Sequence, residues 1–353
     1  MANNNIAPIP VPPGATLLEH IDIWDMTQRE LSLRLGISPK HLNEIIKGKS
    51  PITIETALKL ESVLGLPASF WTGLENSYQE AVARSNKLII EEIEQEIVKA
   101  IDYAEIARLG WVEKTKVMRN KIDNLRIFFG IANLKYIPKL IPIAFRKSDI
   151  YDSSELALAL WLRKGEITAQ EIQTDRFMKS KLKRAITEIR QLTLKPFEEV
   201  TGTLTKLLAD CGIALAIVPH LSKTHANGAV KWINSEKALL QLSLKGTYID
   251  IFWFSLFHEI GHIYLEHIRK GTIIDYRDLN SDMETKADDF AKHALIPENE
   301  YAKFISSGIT RQSIEEFSKK INIHRGIIVG RLMHDKIIAF NQFHNLRVKC
   351  KLN

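Results

Sequence analysis

The sequence predicts a mainly α, multidomain chain: an all-α head, a helical middle and a C-terminal α+β domain. Three observations lead there. At 353 residues the chain exceeds what one hydrophobic core usually holds. Apolar positions recur with helical spacing from the head onward, with Gly and Pro where helices stop and start. From Cys211, a short apolar run rich in Ile and Val replaces that spacing and two further strand-like runs follow, before helical spacing returns at Asp250.

Residues 1–15 open as "MANNNIAPIPVPPG", a proline-rich stretch that reads as an extended arm. It has no basic segment followed by an apolar one, so it is not a secretory signal. Residues 16–80 then read as several short helices. Thr27 caps a helix whose Leu31 and Leu35 face inward, and Gly36 ends it. Ser38-Pro39 restarts a helix at once, with Leu42, Ile45 and Ile46 as its buried face and Gly48 as its stop. A third opens at Thr53 or Ile54, runs through Ala57, Leu60 and Leu64, and ends at Gly65 and Pro67. Helix, short Gly-containing turn, helix is the helix-turn-helix arrangement. Residues 81–200 form a helical connector region that is acidic at first and continues in helical periods. In residues 201–353, Cys211–Leu221, "GAVKWIN" and "KALLQLSL" read as strands, and helices return at Asp250 and Asp282.

Apolar content of 45% and charged content of 25% describe a folded globular chain, not a disordered one. Two cysteines without CxxC spacing exclude a disulfide framework and fit a reducing cytoplasm. No apolar run reaches about 18 residues, so no membrane partner is expected. The net charge of +6 hints at a polyanion, yet residues 1–75 carry 6 basic and 8 acidic side chains. Residues 101–200, with 19 basic and 13 acidic, account for the excess. Charge alone therefore does not make the head a DNA-binding domain. The basic cluster of Arg176, Lys179, Lys181, Lys183 and Arg184 reads as a solvated helix face.

The chemistry concentrates in "FWFSLFHEIGHIYLEH". His258-Glu259-Ile260-Gly261-His262 is an HExxH pentapeptide, and on a helix residues i and i+4 share a face, so both imidazoles can reach one ion. Glu259 follows the first histidine and can take a proton from a water whose pKa zinc lowers towards roughly 7. A catalytic zinc needs three protein ligands and an open position. Glu284, in "METKADDFAKHALIP" with 21 residues between it and His262, can complete a His₂Glu set. Asp288, four residues on, can accept the free ring N–H of a ligand histidine. The alternatives are a core helix with two satisfied histidines, and a metal that is purely structural. Manganese or iron also suits such a donor set.

"FHEIGHIYLEH" followed by "ETKADDFAKHALIP" resembles the ImmA/IrrE metallopeptidase family, zinc-dependent endopeptidases of which several cut a repressor. The resemblance implies a zincin-like C-terminal domain with His258, His262 and Glu284 as zinc ligands and Glu259 as general base. It places Asp288 on the family's second carboxylate. It leaves the oxyanion stabiliser open among Tyr264, His267, His225 and His293.

"TQRELSLRLGISPKHLNEIIKGKSPITIETALKLESVLGLPASFW" resembles XRE-family helix-turn-helix domains, and among them HigA antitoxins. Lys40, His41, Asn43 and Lys47 match exposed positions of the recognition helix. The lysines suit phosphates, and Asn43 or His41 suits base edges. Gln28 and Ser38, at the starts of the two helices, complete the DNA-contact set. "WVEKTKVMRNKIDNLRIFFGIANL", "ALWLRKGEI" and "GRLMHDKIIAFNQFH" resemble the remaining parts of HigA-like proteins with a C-terminal ImmA/IrrE domain.

Together the resemblances imply a cytoplasmic, homodimeric regulator that binds operator DNA and carries Zn²⁺. Its protein substrate would be a repressor, an antitoxin or itself. The alternative they imply is an antitoxin that neutralises a cognate toxin, with the metal domain latent or sensory.

Overall fold

The structure, a computed structural model, describes residues 10–141, 152–224, 226–243, 248–266, 272–274 and 281–350. The chain divides into two compact units, Met1–Glu96 and Ile97–Asn353. Among the described residues no helix is long and apolar enough to cross a membrane.

The first unit is all helical: α1 (Pro13–Ile23), α2 (Gln28–Leu35), α3 (Pro39–Ile46), α4 (Ile54–Leu64) and most of α5 (Ala68–Ala100). Local chemistry sets each boundary. Thr27, Ser38 and Thr53 accept the backbone N–H of Glu30, His41 and Thr56, which caps α2, α3 and α4. Gly36 and Gly65 close α2 and α4 in the left-handed conformation, where a Cβ is strained. Leu17, Leu31, Leu42, Leu60 and Trp71 meet in one core. The Glu75 carboxylate is buried and satisfied there, accepting Ile52 N–H at 3.0 Å and the Gln79 amide at 2.7 Å.

Gly14 presses α1 onto the end of α3, since a Cβ built on it would stand 2.2 Å from the Ile46 backbone. Gly14→Ala must part the two helices. It is expected to destabilise the first unit by about 1–3 kcal/mol in chemical denaturation of the full chain. An unchanged midpoint would show that α1 is not clamped there.

The second unit opens with α6 (Tyr103–Arg108), α7 (Met118–Phe129), α8 (Ile137–Leu140), α9 (Ser153–Glu171), α10 (Lys179–Gln191) and α11 (Phe197–Ala209). Four strands follow: β1 (Ile213–Val218), β2 (Gly228–Trp232), β3 (Ala238–Ser243) and β4 (Thr272–Ile274), with α12 (Ile249–Tyr264) ahead of β4. The sheet order is β1-β3-β2-β4, with β1 parallel to β3 and the other pairings antiparallel. After it come α13 (Ser281–Leu295), α14 (Glu298–Ser306), α15 (Arg311–Ile321) and α16 (Arg325–His334).

Side chains alternate across the sheet. Leu240 and Leu242 of β3, Leu215 of β1 and Val230 of β2 enter the main core with α10, α11 and α12. Gln241, between the two leucines, turns the other way and donates to Trp161 O of α9 at 2.7 Å. Gly165 lets α9 come this close, because a Cβ there would overlap the Gln241 amide.

Three boundaries differ from the sequence reading. The expected arm 1–15 ends early, because Pro12 and Pro13 suit a helix start and α1 begins at Pro13. The head does not stop at residue 80: α5 runs unbroken to Ala100, and the first unit reaches Glu96. Nothing in that stretch is a helix breaker except Gly73, which a helix tolerates. The connector 81–200 is not separate from 201–353. Leu182, Ile189, Phe197 and Val200 share one core with α12 and the sheet, since the apolar faces of α10 and α11 have nowhere else to be buried.

Both cysteines are free thiols, and burial raises their pKa, Cys350 to about 12.

Candidate metal centre and nucleic-acid interface

Helix α12 is buried almost all round. Trp253, Leu256, Phe257, Ile260 and Ile263 fix its rotation within the core. Phe254, on the same helix, is only partly buried and lies beside His258 and His334. With the helix so held, His258, Glu259 and His262 are 5%, 0% and 1% exposed. Asp250 anchors the first turn of α12 through three hydrogen bonds from Arg347, the shortest 2.7 Å. Burial raises the Asp250 pKa and Arg347 opposes that rise.

α13 crosses α12 closely at Gly261. A Cβ there would meet Phe290 Cδ1 at 3.1 Å and the Ala287 backbone at 3.3 Å. That approach carries Glu284 and Asp288 to the histidines. His258 Nε2 lies 3.0 Å from His262 Nε2 and 3.1 Å from Glu284 Oε2, and His262 Nε2 lies 3.5 Å from Glu284 Oε1. Among the described residues these three can hold one metal ion.

The donor set fits a tetrahedral ion. Donors about 2.0–2.1 Å from such a centre stand about 3.3–3.4 Å apart, and the histidine separation of 3.0 Å and the distances to Glu284, from His258 to Oε2 and from His262 to Oε1, lie near that figure. Asp288 Oδ1 is 2.8 Å from His258 Nδ1. A proton assigned to Nδ1 on the strength of that carboxylate leaves Nε2 as the lone-pair nitrogen turned towards Glu284 and His262. Where the two rings are instead protonated on Nε2, burial pushes Glu284 upward but their hydrogen bonds and charge outweigh it and hold its carboxyl at about 2.

Glu259 lies over the start of β2. A Cβ on Gly228 would fall 2.1 Å from its Oε1. Gly228 and Gly261 thus shape the site, and neither was singled out from the sequence. The glycine inside HEIGH was a signal available there, and for Gly228 there was none. Of the residues weighed as oxyanion stabilisers, Tyr264 packs against Phe290 and under Lys179, and His293 lies 3.7 Å from Glu298. His225 and His267 lie outside the described residues.

In the first unit, Gln28, Ser38, Lys40, Asn43 and Lys47 are exposed and His41 is partly so. Lys40, His41 and Asn43 lie on α3, and Lys47 caps its C-terminus. Ser38 differs from the rest: its oxygen accepts His41 N–H at 3.1 Å, so only its hydroxyl proton is left for a phosphate. Arg29, exposed beside Gln28 and sharing a cleft with Pro39, is a further phosphate candidate that sequence reading passed over. The basic cluster is largely paired. Arg176, Lys179 and Lys181 lie 3.3, 3.6 and 2.7 Å from Glu236, Glu266 and Asp175.

Residues 25–71 match the Helix-turn-helix family. The uncharacterized HTH-type transcriptional regulator YddM of Escherichia coli (strain K12) is 31% identical over 71 residues, which cover 20% of this chain and 76% of that protein. Virulence-associated protein I of Dichelobacter nodosus is 30% identical over 76 residues, 21% of this chain and 70% of that one. A solved addiction module antidote protein of the HigA family from Coxiella burnetii is 32% identical, covering 23% of this chain and 90% of its own, with a TM-score of 0.22.

Proposed function

Because the chain belongs, through its head, to the helix-turn-helix family of transcriptional regulators, we propose that it is a DNA-binding regulator whose second unit is a zinc-dependent endopeptidase. The observation that carries the peptidase is the convergence of His258, His262 and Glu284 within donor distance of one another, with Glu259 next in chain to His258. His258 Nε2, His262 Nε2 and a Glu284 oxygen would hold the ion. When bound, it supplies Lewis acidity, which polarises a peptide carbonyl and acidifies a water.

The chain's own groups do the rest. Asp288 holds the His258 ring in one tautomer and orientation. Glu259 accepts a proton from the attacking water as its oxygen bonds to the carbonyl carbon. It returns that proton to the amine nitrogen as the C–N bond breaks. The substrate is a protein: a partner repressor, an antitoxin or this chain itself. Zinc-loaded chain, incubated with purified candidate partners and alone, is expected to yield a discrete new N-terminus. A metal chelator should abolish that product and added zinc restore it. Cleavage that persists after chelation, at unchanged rate, would sink the reading.

At the DNA, Lys40 and Lys47 neutralise phosphates while Asn43 reads a base edge. In anisotropy titrations on DNA upstream of its own gene, Lys40→Ala and Lys47→Ala should each lower the salt slope by about 1. Asn43→Ala should cost about 1–3 kcal/mol at one base pair and leave the slope alone. Equal salt slopes for all three variants and the parent would remove α3 from the interface. The head's resemblance in sequence to HigA antitoxins favours a second reading, in which the chain also neutralises a toxin. Co-purification of a small neighbouring gene product with the full chain tests it.

A further inference from the structure

The positive charge of this chain is concentrated away from its helix-turn-helix head. Residues 111–140, in the second unit, carry 7 basic and 2 acidic side chains. Residues 1–75, which hold the whole helix-turn-helix match, carry 6 and 8. A head with that balance gains no long-range attraction to a phosphate backbone from its own net charge.

Four of the seven cations gather round the first two turns of α7. Asn124 donates to the Tyr103 hydroxyl at 2.8 Å and to Glu113 O at 3.4 Å, and Tyr103 donates to that same carbonyl at 2.7 Å. These bonds hold the backbone at Glu113 against the second turn of α7, one residue before Lys114. Lys116 precedes the N-cap Val117, and Arg119 lies in the first turn. Lys121 Nζ stands 5.1 Å from the centre of the Tyr103 ring.

Lys114, Lys116 and Arg119 are exposed and form no ion pair among the described residues. Of the two acids in the stretch, Asp123 is taken by Arg126 at 3.3 Å, which leaves Glu113 against the four cations. Arg176, Lys179 and Lys181 differ, since each already faces a carboxylate. A paired cation must give up its partner to meet a phosphate, and an unpaired one need not.

We infer that this face of the second unit binds the phosphate backbone of duplex DNA, adding sequence-independent contacts to those of the head. The head names the polyanion, because it is a helix-turn-helix domain of the transcriptional-regulator kind. Both units belong to one chain, so a duplex held by the head is presented to the second unit at high local concentration. The inference does not rest on the peptidase reading.

Phosphate contacts need no particular sequence, so the full-length chain can be titrated by anisotropy with a long mixed-sequence duplex at several salt concentrations. Each neutralised phosphate contributes about 0.9 to the slope of log K against log salt. Replacing Lys114, Lys116 and Arg119 together by alanine should lower that slope by about 2–3 and weaken binding at low salt by about ten-fold or more. The three side chains are exposed and unpaired, so the thermal midpoint should stay in place. A second triple variant, Lys206→Ala with Lys303→Ala and Lys319→Ala, removes the same charge from exposed positions on α11, α14 and α15. It should move the slope by less than about 1. An unchanged slope in the first variant overturns the surface. An equal fall in both variants assigns the effect to net charge and overturns it as well. Vesicles of phosphatidylglycerol and phosphatidylcholine offer the competing polyanion. Binding to them that the first variant loses, with its DNA slope unaltered, would make the partner a membrane and overturn DNA.

Discussion

Glu259→Gln is expected to lower peptide-bond hydrolysis by about 10²–10⁴-fold while leaving the metal content of the purified chain unchanged. The exchange is nearly isosteric, which matters because Glu259 is fully buried and Gly228 leaves its carboxylate no slack. What the amide cannot do is accept a proton. His258, His262 and Glu284 are untouched, so metal retention, read by elemental analysis, is the control that separates lost proton transfer from a collapsed site. Cleavage at the parent rate by the glutamine variant would remove Glu259 as the base. Loss of cleavage together with loss of metal would instead place Glu259 in the support of the donor set.

The second large effect falls far from the metal in sequence. Arg347→Ala should destabilise the second unit by about 3–5 kcal/mol, because it strands the Asp250 carboxylate inside the protein. Asp250 is 5% exposed and Arg347 supplies its three hydrogen bonds, while the guanidinium also lies 3.9 Å over the Tyr248 ring. In the tail, Val348 O also accepts the Ile249 N–H at 2.8 Å, so the tail ties down the start of the helix that bears both histidines. Chemical denaturation followed by tryptophan fluorescence reads the loss. Adding Asp250→Asn to the alanine variant should recover part of it, since the residue left behind is then neutral. A double variant no more stable than Arg347→Ala would show that packing of the arginine, not the buried charge, is what matters.

Much of this was legible in the sequence, for reasons that can be stated residue by residue. Thr27, Gly36, Ser38, Thr53 and Gly65 act on their own helices through the nearest backbone groups, so the helix starts and stops of the head could be read without a fold. The strands at Ile213, Gly228 and Ala238 likewise follow from their short apolar runs, the first of them rich in Ile and Val. The short β4 carries too little pattern to be noticed. The extent of α5 was missed because a polar helical stretch has no local stop to mark a domain edge. Assigning α10 and α11 to a connector failed for a related reason: an amphipathic face shows that a helix is buried, not what buries it.

At the site the same division holds. An i, i+4 pair of histidines and the glutamate between them are properties of one helix turn, so the sequence alone determined which α12 residues face together. Glu284 and Asp288 were legible as a spacing on a second helix. Only the tertiary structure decided that Gly261 lets α13 approach α12, and that Glu284 comes within 3.1 Å of His258. Only it decided that Arg347, 97 residues from Asp250, secures the helix. Contacts along one helix are set by a fixed rise and turn per residue, which the order of residues encodes directly. Contacts between helices depend on how side-chain volumes from the whole core settle against one another, and that is decided only when the chain is folded.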